Sequence, residues 1–429
     1  MSSPSDSPQT WRNWSGAQTA APRQWLRPRD EDELIADLKS VKGALRVVGS
    51  GHSFSPLCLS DDTLISLQHL QGLVDVDPSQ LQATVRAGTS LRQLGPLLWQ
   101  HGQALINQGD VDPQTVAGAC ATSTHGTGVG LGSLSSVVRA IRLLTVDGEA
   151  LHAHAQQHAE IYQAARTSLG ALGVATQLRL QNRPTYQLRE REFLLPLRQL
   201  LPDIGQLSRQ HRHFEFWVFF QADHAIVKTL DETDLPATPP ARLQLPVTTV
   251  LNLASEIAHR IPGMDGTMQR MLTALHSASD RVGRAYEIFP SPRDARFNEM
   301  EYEIPIAQGP ACLDEILHTV KASGLRTLFP LEYRTVAADD AWLSPFYGRD
   351  SASISLHQYH RFDWRPLFNL VEPIFWKYQG RPHWGKLHTL RYAQLAALYP
   401  RWDDFQRVRC QLDPQDRLLN AHLRELLIP

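Results

Sequence analysis

The segment that most constrains how this 429-residue chain can fold is a glycine-bracketed turn, Arg46-Val-Val-Gly-Ser-Gly-His-Ser-Phe-Ser-Pro56, directly after a β-branched run. Gly49 and Gly51 let backbone N–H groups converge on an anion without obstruction by a Cβ atom, and the neighbouring serines add hydroxyl donors. Such a loop can hold a pyrophosphate with the imidazole of His52 beside it. Taken alone, the segment equally fits an ordinary glycine turn that carries a surface histidine.

A second loop, from Asn107 to Gly128, is a long run of small and hydroxyl residues around Gly118 and Gly126. This composition would weaken a strand interior, and it is useful where a backbone approaches a ligand closely. A bland glycine-serine loop is the alternative. Neither loop has the G-x-G-x-x-G pattern that opens a helix or the lysine of a Walker loop, so the chain is expected to hold a phosphate in another way.

Together the two loops resemble the FAD-binding domain of the vanillyl-alcohol oxidase type, over about the first 185 residues. The resemblance implies FAD as the cofactor, with the first loop around its pyrophosphate and His52 bonded covalently to the 8α-methyl of the flavin. Relatives that attach the flavin twice use a cysteine early in the second loop. Val111 stands there and Cys120 lies further on, which favours one bond. The residues expected at FAD are Val48, Gly49, Ser50, Gly51, His52, Ser53, Gly109, Asp110, Val116, Gly118, Ala121, Thr122, Thr124, His125, Gly126, Gly128 and Val174.

Three later segments narrow the family. Gly380-Arg-Pro-His-Trp-Gly-Lys-Leu-His388 resembles the closing motif of the sugar-1,4-lactone oxidases, the group of gulonolactone and arabinonolactone oxidases, and alditol oxidases carry a close variant. Leu331-Glu-Tyr-Arg334 and Trp342-Leu-Ser-Pro-Phe-Tyr-Gly-Arg-Asp-Ser351 match the same group. The resemblance implies that a secondary alcohol of an aldono-1,4-lactone is oxidised by hydride transfer to flavin N5, with O2 or another acceptor closing the cycle.

The resemblance also bears on the electron acceptor. Gly109 stands where a larger side chain restricts the approach of O2 in this family, so a glycine predicts an oxidase that forms H2O2. The alternative is that Gly109 is a turn glycine chosen for its backbone angles.

Composition excludes several other classes of protein. A net charge of −2 leaves no basic stripe for nucleic acid. The four cysteines form no C-x-x-C pair and no metal-ligand spacing with the histidines, which predicts reduced thiols and no metal site. No apolar run approaches the roughly 18 residues of a membrane helix, and no signal sequence opens the chain. We therefore expect a soluble, cytoplasmic protein with a small-molecule partner.

Periodicity predicts an α+β fold. The resemblance implies a two-subdomain FAD-binding domain plus a cap domain built on an antiparallel sheet, and the order of the later elements fits such a cap. The expected division is a flexible N-terminal tail over residues 1–20, the FAD-binding domain over 21–184, the substrate or cap domain over 185–380, and a C-terminal segment over 381–429 that returns to the FAD domain. A loop rich in Asp, Thr and Pro is expected over residues 231–242. The predicted elements include a helix over Glu31–Lys39 and a helix that Ser90 caps. Strands with alternating polar and apolar residues are predicted over Thr63–Leu67, Ala83–Ala87 and Val174–Leu180, and further strands over Leu45–Val48, Phe214–Phe220 and Ser351–Tyr359.

Two charged residues two apart are the main catalytic candidates. Glu332 and Arg334 point to one face of their predicted strand, where a carboxylate beside a guanidinium can hold a polyhydroxylated ring. A surface ion pair on an edge strand would look the same in sequence. Lys386 is the third candidate, as a cation near the substrate hydroxyl or the flavin.

The strand Ser351–Tyr359 places Ser353, Ser355, His357 and Tyr359 on one face, which suits a sugar. A solvent-exposed sheet face would have the same pattern. His383 could also be a packed structural histidine. The residues expected to contact substrate are Asp110, Ser355, His357, Tyr359 and His383.

Two other functions stay open from the sequence. An alditol oxidase would act on a linear polyol, but its relatives place Ser-Leu-Pro-His where this chain has Asp110-Val-Asp-Pro113. A non-catalytic flavin-binding or carbohydrate-binding protein would bind FAD without reducing it.

Overall fold

The computed structural model describes residues 10–239, 247–261, 263–291 and 295–429. It confirms the α+β prediction: a small parallel sheet and a five-stranded antiparallel sheet come from the first part of the chain, and an eight-stranded antiparallel sheet comes mostly from the second. Residues 240–242 of the loop expected over 231–242 lie outside the described residues. The part before them follows a strand that ends at Glu232.

The parallel sheet carries the first glycine loop at the end of one strand. Its strand order is Gln24–Leu26, Thr63–Ser66, Leu45–Val48. The helix Glu31–Ser40 begins at Asp30, whose side chain accepts a hydrogen bond from the backbone of Glu33. The predicted alternation of the strand from Thr63 is wrong, because this strand lies in the middle of the sheet and all four of its residues are buried.

The five-stranded sheet has the strand order Ala150–His154, Val138–Leu144, Val174–Gln181, Gln82–Arg86, Leu73–Asp77. Val174–Gln181 alternates between buried and half-buried residues, as its sequence predicts for a sheet covered on one face. Ser90 caps the helix Leu91–Gln100, and Gln93 completes a capping box.

The eight-stranded sheet has the strand order Ser279–Arg284, Gln187–Pro196, His224–Glu232, His213–Val218, Leu331–Val336, Ser351–Tyr359, Phe297–Pro305, Arg381–Pro382. The strand Leu331–Val336 therefore lies inside the sheet, between His213–Val218 and Ser351–Tyr359. All nine residues of Ser351–Tyr359 are buried, which excludes the solvent-exposed face that its pattern also allowed. Two short pairs complete the sheets, Trp11–Arg12 with Thr19–Ala20 and Gln103–Ala104 with Arg183–Pro184.

The helices pack on these sheets and join the two parts of the chain. Leu313 and Ile316 of Gly309–Ser323 are fully buried in the main core. The described α-helices not yet named are Val116–Ala121, Ala159–Ala165, Leu197–Gln210, Val247–Arg260, Asp265–Ala274, Ala285–Ile288, Arg365–Lys377, Tyr392–Leu398, Trp402–Leu412 and Ala421–Leu427. None of the helices in the described ranges is long and apolar enough to cross a membrane.

The two chain ends need separate comment. The tail expected over residues 1–20 is wrong for residues 10–20, because Trp11 is buried and the backbone N–H of Trp14 donates to Gly51 in the first glycine loop. The apolar surface of two tryptophans orders this segment. At the other end, the backbone N–H of Leu45 donates to Arg417, and Arg46 donates to the carbonyl of Leu418.

The segment expected to begin at residue 381 starts inside the larger sheet, because Arg381–Pro382 is its last strand. Its contacts with the first part of the chain begin at Trp384 and Gly385 and continue at Arg417 and Leu418.

Candidate active site

A cavity of about 540 Å³ lies between the parallel sheet and the five-stranded sheet. Val48 and Ser66 line it from one sheet, and Val174 and Leu178 line it from the other. A smaller cavity of about 50 Å³ adjoins the first glycine loop and is lined by Gly51 and His52. The residues predicted at FAD that line one or both cavities are Val48, Gly49, Ser50, Gly51, His52, Ser53, Gly118, Ala121, Thr122 and Val174.

The lining of the large cavity fits an extended dinucleotide. Backbone comes close at several glycines: a Cβ atom on Gly49 would lie 2.4 Å from the hydroxyl of Thr115, and Gly51 has a φ of +71°. Gly170 and Gly173, also with positive φ, line the same space. Hydroxyl donors such as Ser90 alternate there with apolar residues, the mixture that a nucleotide needs.

The second glycine loop packs against its own chain. A Cβ atom on Gly126 would lie 2.3 Å from the carbonyl oxygen of Gln108, and one on Gly109 would lie 2.8 Å from the carbonyl oxygen of His125. These glycines therefore allow two backbone segments to approach each other. Gly109 has no positive φ, so the alternative of a glycine chosen for its turn angles is wrong.

The remaining second-loop residues predicted at FAD do not line either cavity. Val116 is buried at the start of its helix, and the hydroxyl of Thr124 lies 3.4 Å from that of Thr122. The N–H of Gly128 donates to Thr335 in the large sheet.

The fold brings the histidine loop onto the closing motif, more than 300 residues later in the sequence. The backbone N–H of Phe54 donates to Gly385 at 2.7 Å, and the hydroxyl of Ser55 donates to Trp384 at 2.7 Å. The ring of His52 stacks on Trp14, with centroids 5.6 Å apart. Burial and the nearby charge of Lys386 lower the pKa of His52 to about 4, so its imidazole is neutral at physiological pH.

Glu332 and Arg334 form a buried network and not a surface pair. The Arg334 side chain is 11% exposed; its Nη2 lies 2.5 Å from Glu332 Oε1 and 3.0 Å from Asp110 Oδ2, and its Nε lies 2.9 Å from Glu215 Oε2. None of these bonds uses Nη1. Because Asp110 belongs to the second glycine loop, the arginine joins the large sheet to the first part of the chain. The surface-pair alternative is wrong, since the strand is interior.

A second polar network lies on the same face of the sheet. Glu301 accepts hydrogen bonds of 2.7 Å from both His125 Nε2 and the hydroxyl of Ser353. Lys386 Nζ lies 2.5 Å from Glu299 and 3.5 Å from Glu301. Strand register explains the grouping: Glu301 and Glu332 both pair with Ser355 from opposite sides.

His125 is held as an imidazolium. Its Nδ1 donates to the carbonyl oxygen of Gly126, 2.8 Å away. Burial would raise the pKa of Glu301, but nearby charges, first that of Lys386, hold it well below its usual value, so the proton between Glu301 and Nε2 lies on the ring. Burial alone would lower the pKa of His125, but the carboxylates of Glu303 and Glu301 raise it to about 10. Burial raises the pKa of Glu303 to about 7, and one of its oxygens has no partner among the described residues.

The predicted substrate residues fall into two groups. Ser355 and His357 lie on the polar face, and His357 Nδ1 donates to the carbonyl of Pro330 at 2.9 Å. Tyr359 is directed elsewhere, because its hydroxyl donates to Glu256 on the helix Val247–Arg260. His383 is 4% exposed and its Nδ1 accepts from the N–H of Gly385, and burial lowers its pKa to about 3. His383 is thus a neutral, packed histidine.

Sequence reasoning missed six charged residues on this face: Glu190, Glu215, Lys228, Glu299, Glu301 and Glu303. The signal was available for three of them, since Phe297–Pro305 reads Phe-Asn-Glu-Met-Glu-Tyr-Glu-Ile-Pro, with a glutamate at every second residue.

Two sets of these side chains have spacing that a metal ion could use. His125, Glu301 and Glu303 form one set and Asp110, Glu215 and Glu332 the other, each with ligand atoms within 4.8 Å. In both sets the distances are those of hydrogen-bonded ion pairs, in which a proton or the guanidinium of Arg334 lies between the ligand atoms. The expectation of no metal site stays a prediction.

Comparison with known proteins identifies the family. The family described as D-arabinono-1,4-lactone oxidase matches residues 178–426, and the family described as FAD binding domain matches residues 22–154. The chain is 40% identical over 427 residues to an L-gulono-1,4-lactone dehydrogenase of Mycobacterium tuberculosis, covering 98% of this chain and 99% of that protein. It is 32% identical to an alditol oxidase of a Streptomyces species, covering 97% and 98%.

Among solved structures, cholesterol oxidase from Brevibacterium sterolicum superposes with a TM-score of 0.82 at 16% identity, covering 98% of this chain and 97% of that one. At this identity the likeness establishes the fold alone.

Proposed function

Because the chain belongs to the D-arabinono-1,4-lactone oxidase family, we propose that it is an FAD-dependent oxidoreductase that oxidises a secondary alcohol of an aldono-1,4-lactone. The observation that carries this proposal is the buried Glu332–Arg334 pair on the face of the large sheet that meets the second glycine loop at Asp110. A guanidinium held rigidly among carboxylates, with Nη1 left out of those bonds, is prepared to bind a hydroxylated ring.

The residues around the two cavities would hold FAD, which supplies the acceptor for the hydride when it is bound. The glycines of the first loop would admit the pyrophosphate to backbone N–H groups. His52 would form the covalent bond to the 8α-methyl group, since its lowered pKa leaves a ring nitrogen with a free electron pair.

Three charged side chains would act on the substrate. Glu332 and Arg334 would orient the lactone, with Ser355 and His357 beside them on the same face. Arg334 and Lys386 would stabilise the negative charge that develops on the substrate oxygen during its oxidation. Both cations are held in place before substrate binds, because carboxylates of the sheet bond each of them.

We propose O2 as the electron acceptor, on the ground that Gly109 presents no side chain. The names of the relatives differ on this point: the matching family is named for an oxidase, and the mycobacterial relative is named as a dehydrogenase. We also place the protein in the cytoplasm, which agrees with four free cysteine thiols.

The test is a substrate panel on the purified holoprotein: L-gulono-, L-galactono- and D-arabinono-1,4-lactone against xylitol and sorbitol, with H2O2 formation and dye reduction measured in parallel. We expect turnover with at least one lactone and H2O2 in proportion. Turnover with polyols alone would favour an alditol oxidase. Dye reduction without H2O2 would retain the lactone activity and reject O2 as acceptor.

A further inference from the structure

One buried cation takes no part in the chemistry above. Lys228, on the strand His224–Glu232, has a side chain that is 1% exposed. Its Nζ lies 3.1 Å from Glu215, 3.6 Å from Glu190 and 3.8 Å from Asp110. A buried ammonium is stable only where carboxylates offset the cost of removing it from water, and the three carboxylates around Lys228 do so.

Lys228 shares two of these carboxylates with Arg334. Glu215 offers one oxygen to Lys228 and the other to Arg334, and Asp110 does the same. Asp110 lies on the second glycine loop, whereas both cations and Glu215 lie on neighbouring strands of the large sheet. Lys228 therefore holds one oxygen of each acid in place, while the other oxygen of each acid bonds the guanidinium of Arg334.

The charge balance shows why a second cation is needed. Asp110, Glu215 and Glu332 bring carboxylate oxygens within 4.8 Å of one another, and Arg334 alone supplies one positive charge to three acids. Burial and the charges of Asp110 and Glu332 raise the pKa of Glu215, while Lys228 and Arg334 lower it, and the result is a pKa of about 7. Loss of Lys228 would shift this balance toward the protonated acid, which is a weaker acceptor for the guanidinium.

We propose that Lys228 is a positioning residue, which holds Asp110 and Glu215 as carboxylates against Arg334 and acts on substrate only through them. The part of this inference that concerns turnover rests on the proposed function. The part that concerns the loop of Asp110 does not.

The first test is the pH profile of kcat/KM for the holoprotein with its best lactone. In Lys228→Met, which keeps an unbranched side chain of similar length and removes the charge, we expect kcat/KM at pH 7 to fall at least fivefold and its acid limb to move up by one pH unit or more. The direction follows because Glu215 must be ionised to hold Arg334 and its pKa rises without Lys228. Activity should partly return above pH 8.

Arg281→Met is the matched control. Arg281 bonds Glu190 at the outer end of the same network, and its side chain is 44% exposed. It makes none of the contacts with Asp110 or Glu215 described above, so its pH profile should stay within twofold of the wild type with no shift of the acid limb.

The second test is hydrogen exchange of the backbone over residues 107–112, which needs no turnover. We expect at least tenfold faster exchange in Lys228→Met than in wild type or Arg281→Met. If the methionine variant does not fold, Lys228→Gln replaces it in both tests. An unmoved acid limb, an equal loss at every pH, or unchanged exchange over residues 107–112 overturns the positioning role. If no lactone reduces the flavin of the wild-type protein, the proposed function is rejected, and the hydrogen-exchange result still decides the role of Lys228.

Discussion

Gly109→Ala separates an oxygen gate from a packing requirement. The added Cβ atom would lie 2.8 Å from the backbone carbonyl oxygen of His125 and 3.6 Å from the Thr124 methyl. The first contact is several tenths of an ångström too short, and backbone on both sides must move to relieve it. The next residue, Asp110, bonds Arg334 at 3.0 Å, so the movement reaches the proposed substrate site.

The magnitude follows from overpacking in a tight interior, which typically costs about 1–3 kcal/mol. A displacement of Asp110 by part of an ångström weakens its bond to Arg334, and misplacement of about 1 Å in a positioning group can cost about a hundredfold in rate. We therefore expect Gly109→Ala to lower the melting temperature and to slow flavin reduction by lactone about tenfold. A gate alone would slow only the reaction of the reduced enzyme with O2.

The assay is stopped-flow measurement of both half-reactions, with FAD content and melting temperature on the same preparation. Gly130→Ala is the control, because a Cβ atom there meets nothing within 4 Å and the residue has no positive φ. It should match the wild type in all four measurements. A Gly109→Ala protein with wild-type stability and wild-type flavin reduction would refute the packing argument, and slow reoxidation in that protein would establish the gate.

Four further substitutions test other parts of the site. Arg334→Met should lower the free energy of unfolding by about 3–5 kcal/mol, because it leaves buried carboxylates unpaired. Glu332→Gln should change the melting temperature little and still slow flavin reduction about a hundredfold. Equal stability of the two variants in thermal unfolding would contradict the buried network. His52→Ala should fold and release its FAD on acid precipitation, while FAD that stays bound to that variant would place the covalent bond elsewhere. The stability deficit of His125→Gln should narrow as the pH rises, because a folded-state pKa of about 10, raised from the ordinary value of 6.5, gives stability that is full below pH 6.5 and is lost as the pH rises through 10. A deficit in melting temperature that is the same at pH 6.5 and at pH 10 would reject the imidazolium.

Sequence patterns predicted well those helices and strands that depend only on residues close together in the chain. The helix from Glu31, the capped helix after Ser90 and the alternating strand from Val174 needed only periodicity and capping, and each was confirmed. The strand from Thr63 was misjudged because its burial depends on neighbours on both sides, which a sequence window does not contain. Residues 10–20 were wrongly expected to be flexible, because chain termini are often disordered and the two tryptophans of this segment were given too little weight.

The candidate site shows the same division. Alternation placed Glu332 and Arg334 on one face, but it could not show that the strand is interior and that Asp110 and Glu215 complete the network. Lys228 had no signal, since a single lysine in an apolar strand is recognisable only once the strand order is known. Charges that meet across strands are set by register, and register between distant strands is not a local property.

The most direct test of the central claim is the anaerobic reaction of the holoprotein with aldono-1,4-lactones, followed by the absorbance of its oxidised flavin. Because O2 is absent, the result depends on substrate binding and hydride transfer and not on the acceptor. We predict that at least one lactone bleaches the flavin fully and rapidly, that xylitol and sorbitol do so far more slowly, and that Glu332→Gln loses the reaction with lactone. Two results would contradict the account: no lactone bleaches the flavin of the wild type, or lactone bleaches the flavin of Glu332→Gln at the wild-type rate.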